Sequence, residues 1–240
     1  MSRAPHRIEL VHDFVCARSY LAFTRLRRAH ALHRAEGGTT RLVLRPYQIR
    51  PDTPAEGEPL FEVHRRERGE AVARAIRADR TLGAADGLDL RFDRAVFANT
   101  RAAHHLTAQA ATQHRALDMA ARLFRAYFTD GLDIADPHVL TRLAAEVGVR
   151  PEPDLTEHLS AELARTRHLG SPSGPVLLAD GHPVLHEEPT EEELLSCLRA
   201  GPRAGRAGPP PGEGPEAPGE RRPARAGDEE SAGRRDQNGR

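Results

Sequence analysis

The stretch Ile8–Tyr20, IELVHDFVCARSY, decides the fold of this chain. It begins as a short apolar strand and places Cys16 just before a helix whose apolar residues recur every three or four positions. Gly37–Gly38 ends that helix, and Thr40–Ile49 is predicted as a second strand. This order of elements predicts a βαβ unit.

Strands return near the end of the chain, after a long middle segment of helical character. Val176–Ala179 and Pro183–His186 are predicted strands joined by the turn residues Asp180–Gly181. Thr190 and Glu193 then have capping-box spacing before a last helix. The predicted fold class is therefore α/β: a thioredoxin-like βαβ–ββα sheet with a helical insertion.

The predicted organisation of the 240 residues has four parts. These are 1–59 for the βαβ half, 60–168 for the helical insertion, 169–200 for the ββα half and 201–240 for a tail. The tail is rich in Gly, Pro, Ala, Arg and Glu and contains no Leu, Ile, Val, Met or aromatic residue. Such a segment cannot bury enough apolar surface to offset its ordering entropy, so we expect Gly201–Arg240 to be disordered.

Five helices are predicted in the insertion. Apolar periodicity, Asp136–Pro137 as a helix start and Gly148 as a helix end define them. They are Val63–Ile76, Ala95–Gln113, Leu117–Phe128, Pro137–Val147 and Leu155–Leu169.

Composition excludes several classes of function. The formal net charge is zero, which gives no sign of nucleic-acid binding, and no segment approaches the roughly 20 apolar residues of a membrane span. The two cysteines, Cys16 and Cys197, have no metal-ligand spacing, and His104–His105 are interpreted as solvated surface residues. We therefore expect no metal, and a cytoplasmic location because no signal peptide precedes the first strand.

Cys16 is the sharpest candidate for chemistry. A cysteine at a helix start meets unpaired backbone N–H groups and the positive end of the helix dipole, which favour the thiolate, the nucleophilic form. Its alternative reading is a small buried hydrophobe. Asp13 is either a proton acceptor for Cys16 or a cap for the strand end. Cys197 is read as a buried, inert thiol on the last helix.

Five segments resemble the FrnE-like branch of the DsbA family, and together they span about residues 8–199 in the family's order. The active-site loop of that branch reads Asp-x-x-Cys-Pro-Trp-Cys-Tyr, to which Asp13–Tyr20 is similar. The other four are Arg45–Asp52, Asn99–His104, Leu123–Pro137 and Leu169–Val176.

The resemblance implies a thiol-disulfide oxidoreductase whose site residues can be transferred position by position. Cys16 and Ser19 would be catalytic. The substrate-binding candidates are Arg18, Tyr20, Asn99, Thr100, Gly174 and Pro175. The Gly174–Pro175 bond would be cis, as at the family's cis-proline, although Ser173–Gly174 replaces the usual Gly-Val. For Asn99 and Thr100, a plain helix cap is the alternative reading.

Ser19 stands where the family has its second cysteine. A CxxS chain can form a mixed disulfide but needs an external thiol to resolve it. A sister branch, the 2-hydroxychromene-2-carboxylate isomerases and kappa-class glutathione transferases, has no second cysteine, and Asp13–Ala22 is similar to its motif as well.

Three functions therefore stay open: a monothiol oxidoreductase, a thiol-dependent isomerase or transferase acting on a small aromatic substrate, and a redox-inactive binding protein. No bound cofactor is expected. Glutathione or another low-molecular-weight thiol is the expected cosubstrate, and a disulfide-bearing protein or small disulfide is the expected partner.

Overall fold

The structure is a computed structural model, and it describes residues 6–54, 56–150, 154–169, 174–186 and 188–201. The strands are β1 (Arg7–His12), β2 (Arg41–Pro46), β3 (Glu58–Pro59), β4 (Val96–Phe97), β5 (Val176–Ala179) and β6 (His182–His186). The helices are α1 (Ala17–Ala35), α2 (Leu60–Arg68), α3 (Glu70–Ala78), α4 (Arg101–Thr112), α5 (Ala116–Arg125), α6 (Pro137–Val147), α7 (Thr156–Thr166) and α8 (Glu191–Arg199). The predicted tail beyond Gly201 lies outside the described residues.

Four strands form the main sheet in the order β2-β1-β5-β6. β1 runs parallel to β2, with Leu10 opposite Leu44, and antiparallel to β5, with Leu10 opposite Leu177. β6 is antiparallel to β5, and the turn between them uses Asp180 and Gly181, both at positive φ. The predicted βαβ–ββα order is confirmed. Because β1 is central, the segment that follows it emerges in the middle of one sheet edge.

The core is built around aromatic rings that come from both halves of the sequence. Phe124 on α5 lies 4.9 Å from the ring of Tyr20, nearly parallel to it, and 4.9 Å from Phe14. Phe23 and Phe128 extend the cluster, and all these side chains are buried. Burial of each large apolar side chain contributes about 1.5–3 kcal/mol. The helical segment is thus attached to the first helix by continuous apolar packing, and we propose 60–168 as its extent.

The insertion differs from its prediction in three places. α5 ends at Arg125, and Ala126–Asp130 continue the predicted helix Leu117–Phe128 as one π-helical turn. Gly69, at φ +85°, splits the predicted helix Val63–Ile76 into α2 and α3. Val96–Phe97 form β4, which pairs with β3, so the predicted helix Ala95–Gln113 begins only at Arg101. Apolar periodicity does not reveal these interruptions because a short strand and a helix turn contain similar residues.

Predictions based on helix ends are confirmed. Asp136 accepts the N–H of His138 and caps α6, with Pro137 in the first turn, and Gly148 ends that helix at φ +75°. Thr190 and Glu193 form the complete capping box of α8. No helix in the described part of the chain is both long and apolar enough to cross a membrane.

Candidate active site

Cys16 is the N-cap residue of α1. Its backbone is extended (φ −96°, ψ 112°), and its N–H donates to the carbonyl of Asp13 at 3.2 Å, which turns the chain from β1 into the helix. Its Sγ accepts the backbone N–H of Ser19 at 3.4 Å. The sulfur therefore satisfies one of the free donors of the first helical turn, as the cap of a helix does.

Burial raises the pKa of the Cys16 thiol. Hydrogen bonds from the side chain and backbone of Ser19 act in the opposite direction, and the nearby charge of Asp13 adds to the increase. The N–H groups of the helix start thus favour the thiolate, as the sequence suggested, but desolvation of the sulfur outweighs them, so the pKa of Cys16 is raised. A half-buried sulfur loses more solvation on ionising than one turn of N–H groups restores.

Ser19 is buried beneath Cys16, with 1% of its side chain exposed. Its Oγ accepts the backbone N–H of Asp13 at 3.4 Å. The hydroxyl thus occupies the position expected from the resemblance, one turn along the same helix from the candidate nucleophile. The backbone N–H of Asp13 holds the hydroxyl in this position.

Asp13 joins the active-site loop to the loop that follows β2. Its Oδ2 accepts the N–H of Ile49 at 2.7 Å. Its Oδ1 is buried without a hydrogen-bond partner among the described residues and lies 3.6 Å from Nε2 of His104. One oxygen therefore holds the loop after β2, and the other makes no hydrogen bond among the described residues, so the two sequence-based readings of Asp13 stay open.

Sequence reasoning missed the buried imidazoles behind this loop. His104 was interpreted as a surface residue, but it is 2% exposed and its Nε2 lies 3.0 Å from the carbonyl of Tyr47. His12 is 1% exposed, and its Nε2 has no partner among the described residues. Burial, reinforced by nearby His104, lowers the pKa of His12 to about 3. The apolar neighbours Ala103 and Leu106, which put His104 on the buried face of α4, were the available signal.

Asn99 and Thr100 lie at the start of α4 and serve the scaffold. Asn99 donates its amide N–H groups to the carbonyls of Pro51 and Thr53, at 3.0 and 2.8 Å. Its Oδ1 accepts from Gln48 and from the N–H of Arg101, the first residue of α4, so Asn99 bonds to the helix start from the position before the N-cap residue Thr100, whose own side chain makes no capping bond. Thr100 is buried beside the Gln48 amide. The alternative reading of Asn99 as a cap is the one this geometry favours.

The other two candidates near Cys16 differ in their surroundings. Arg18 extends to the surface and forms an ion pair with Glu188 at 2.9 Å. The ring of Tyr20 is 8% exposed and stacks on Phe124 in the core. Arg18 thus lies at the surface of the helix start, whereas the ring of Tyr20 lies in the core.

Gly174 and Pro175 precede β5 at the sheet edge where β1 leads to Cys16. Val176 is opposite Val11, which places Pro175 one step beyond the ladder on that edge. No peptide bond between described residues is cis, so the Gly174–Pro175 bond is trans and the cis expectation is wrong. The trans form is the ordinary preference of X–Pro bonds, by about 0.5–1 kcal/mol.

Two further expectations concern cysteine and metal chemistry. Cys197 is half-buried on α8 and packs against the core. Among the described residues, no group of three or more His, Cys, Asp or Glu side chains is arranged to hold a metal ion.

A family model described as the DSBA-like thioredoxin domain matches residues 7–166. No curated protein sequence matches the chain.

Solved structures of low sequence identity share the fold. A probable DsbA oxidoreductase from Streptomyces coelicolor has a TM-score of 0.71 at 20% identity, with 81% of this chain and 89% of that chain covered. The cytosolic disulfide reductase DsbM from Pseudomonas aeruginosa, solved with GSH, has a TM-score of 0.51 at 19% identity, covering 81% and 98%. A 2-hydroxychromene-2-carboxylate isomerase has a TM-score of 0.53 at 12% identity, covering 81% and 93%. These likenesses confirm the thioredoxin-like fold.

Proposed function

The chain belongs to the family of DSBA-like thioredoxin domains, and on this premise we propose that it is a thiol-disulfide oxidoreductase acting through the single active-site thiol of Cys16. We place it in the FrnE-like branch on the motifs of the sequence. The observation that carries the proposal is the position of Cys16 at the cap of α1, with its sulfur 3.4 Å from the Ser19 N–H. A thiolate formed there would be stabilised by the first helical turn.

The proposed reaction consists of two thiol–disulfide exchange steps, and Cys16 ends in the oxidation state in which it began. The Cys16 thiolate attacks one sulfur of a disulfide, forms a mixed disulfide and releases the other sulfur as a thiolate, which takes a proton from water. A second, external thiolate then attacks the substrate sulfur of the mixed disulfide, forms a new disulfide with it and releases the Cys16 thiolate. Ser19 has no sulfur with which to perform this second step, so the external thiol is required.

We propose glutathione or another low-molecular-weight thiol as that external thiol, with no bound cofactor. The DsbM relative was solved with GSH and is described as cytosolic, which supports both this cosubstrate and a cytoplasmic location. The proposed substrate is a disulfide-bearing protein or small disulfide. Gly174, Pro175 and Arg18 are the residues we expect it to meet, since they lie at the sheet edge and helix start beside Cys16.

A thiol-dependent isomerase or transferase is the second candidate. The raised pKa of Cys16 favours it, because a protonated thiol can donate a hydrogen bond to a bound glutathione sulfur. Such a reaction also does not need the second cysteine of the family motif, which Ser19 replaces here. A 2-hydroxychromene-2-carboxylate isomerase is among the structures of the same fold.

Reaction with glutathione disulfide distinguishes these functions. The purified protein, Cys16→Ala and Cys197→Ala are incubated with glutathione disulfide at pH 9, and adducts are mapped by intact mass and peptide analysis. We expect one adduct, at Cys16, that added glutathione removes and that Cys16→Ala lacks. Without an adduct, glutathione-dependent turnover of an aromatic substrate supports the second candidate. The absence of both indicates a redox-inactive binding protein.

A further inference from the structure

A cavity of about 780 Å³ lies between α4, α6 and α7, and Cys16 is not among the described residues that line it. Ala102 and Leu106 line it from α4, Leu140 and Ala144 from α6, and Leu159 from α7. The facing alanines leave the space open, since larger side chains at these positions would fill it. Its volume lies within the roughly 300–1,000 Å³ of small-molecule sites, and its lining is mostly apolar, as in such sites.

The charged groups of the lining are all basic. Arg101 and Arg150 border the cavity together with His105, and none of the sixteen described lining residues is an Asp or Glu. The Arg101 guanidinium donates to Ser160 Oγ at 2.6 Å, and within the described part of the chain neither guanidinium forms an ion pair with a carboxylate. His105 is already engaged, because its Nε2 accepts the N–H of Leu155 and lies 3.3 Å from Oδ1 of Asp154, a carboxylate outside the lining. Two guanidinium groups are thus available to an anion.

We propose that this cavity is a binding site for an amphipathic organic anion, a molecule with an apolar body and one carboxylate or sulfonate. The apolar body would lie against Leu106, Leu140 and Leu159, and the anionic group would pair with Arg101 or Arg150, whose planar fork suits carboxylates. The tail after residue 201 is a poor occupant because it contains no large apolar side chain. Cys16 does not line the site, whereas Asn99, one of the substrate-binding candidates of the sequence analysis, does.

Fluorescence titration with anilinonaphthalene sulfonate, an apolar aromatic monoanion, tests the proposal on the full chain. We expect saturable binding of one probe per chain, displaced by dodecanoate or naphthoate but not by dodecanol. Comparison of dodecanoate with naphthoate shows whether the site prefers an alkyl or an aromatic apolar body. Displacement by dodecanol as effective as by dodecanoate would overturn the role of the anion.

Variants locate the site. At least one of Arg101→Gln and Arg150→Gln should weaken binding about three- to tenfold, as expected for a partly exposed charge-assisted contact, while Arg74→Gln, an exposed arginine on α3, should not. Ala144→Phe should abolish binding, with folding checked by circular dichroism. Cys16→Ala should bind as the unaltered protein does, even if the proposed oxidoreductase activity is absent. Any one of three results would refute the proposed site. These are binding that survives Ala144→Phe, binding by both arginine variants that is as tight as by Arg74→Gln, and loss of binding in Cys16→Ala.

Discussion

The backbone N–H of Ser19 lies 3.4 Å from the sulfur of Cys16, so the fourth residue of the motif already contacts the candidate nucleophile. Ser19→Cys should therefore form a disulfide with Cys16 under mild oxidant, because a thiol differs little in size from the hydroxyl. Disulfides need Cα atoms about 4.4–6.8 Å apart, as expected one turn apart on a helix. Turnover in insulin reduction with a thiol donor should rise well above that of the unaltered protein, since resolution becomes intramolecular.

The matched control for this substitution is Thr112→Cys, which adds a thiol at an exposed position on α4. Disulfide mapping by mass spectrometry should find the new bond only in Ser19→Cys. Failure to form it would argue against a thioredoxin-type active site. A bond without increased turnover would leave the fold intact and favour the isomerase or transferase.

The reactivity of Cys16 should rise at higher pH than that of a free thiol. Burial raises its pKa, so the thiolate fraction at neutral pH is smaller than that of a free cysteine of pKa about 8.5. Iodoacetamide labelling of Cys16, followed by peptide mass from pH 6 to 11, should have its midpoint above about pH 8.5. The order of labelling, Cys16 before Cys197, stays a prediction. A midpoint in the acidic range would show that the helix start dominates after all.

The stability of the protein should fall between pH 7 and pH 5 because of His12. The pKa of His12 is lowered to about 3 in the folded chain, whereas it is about 6.5 when unfolded. Between these values only the unfolded state binds the proton, so stability is present above pH 6.5 and is lost as the pH falls. The expected loss is about 2 kcal/mol between pH 7 and pH 5.

Urea unfolding of the protein and of His12→Leu at both pH values measures this contribution. The substitution should remove most of the difference, while His138→Gln, at the exposed start of α6, should leave it unchanged. His104 and Asp13, the ionisable neighbours of His12, remain in both proteins. An equal pH dependence in His12→Leu would assign the effect to them.

Asn99→Ala should reduce stability and leave substrate affinity unchanged. The amide makes four hydrogen bonds within the protein, to Gln48, Pro51, Thr53 and Arg101. Loss of a cap and of loop contacts typically costs about 1–2 kcal/mol. Thermal unfolding and the KM for the disulfide substrate should be compared. A KM raised severalfold at unchanged stability would restore Asn99 as a substrate-binding residue.

Deletion of Gly201–Arg240 should change neither the melting temperature nor the labelling of Cys16. The reason lies in the sequence, because the tail has no apolar periodicity with which to pack. Differential scanning calorimetry of the truncated and full chains measures this. A melting temperature lower by several degrees would show that the tail packs against the domain.

The sequence alone determined the order of the sheet elements, the helix start at Cys16 and the caps at Asp136 and Thr190. These features depend on residues close together in the chain: apolar periodicity, a capping side chain, a glycine at positive φ. The position of Ser19 beneath Cys16 was also predictable, because residues three apart lie on the same face of a helix, about one turn apart.

Only the tertiary structure decided the environment of these residues. The pKa of Cys16 and the burial of His12 and His104 depend on packing between segments distant in sequence, which periodicity does not encode. The scaffold role of Asn99 likewise depends on a loop about fifty residues earlier. Desolvation is the physical reason: a group's ionisation follows from what covers it, and what covers it is known only once the chain has folded.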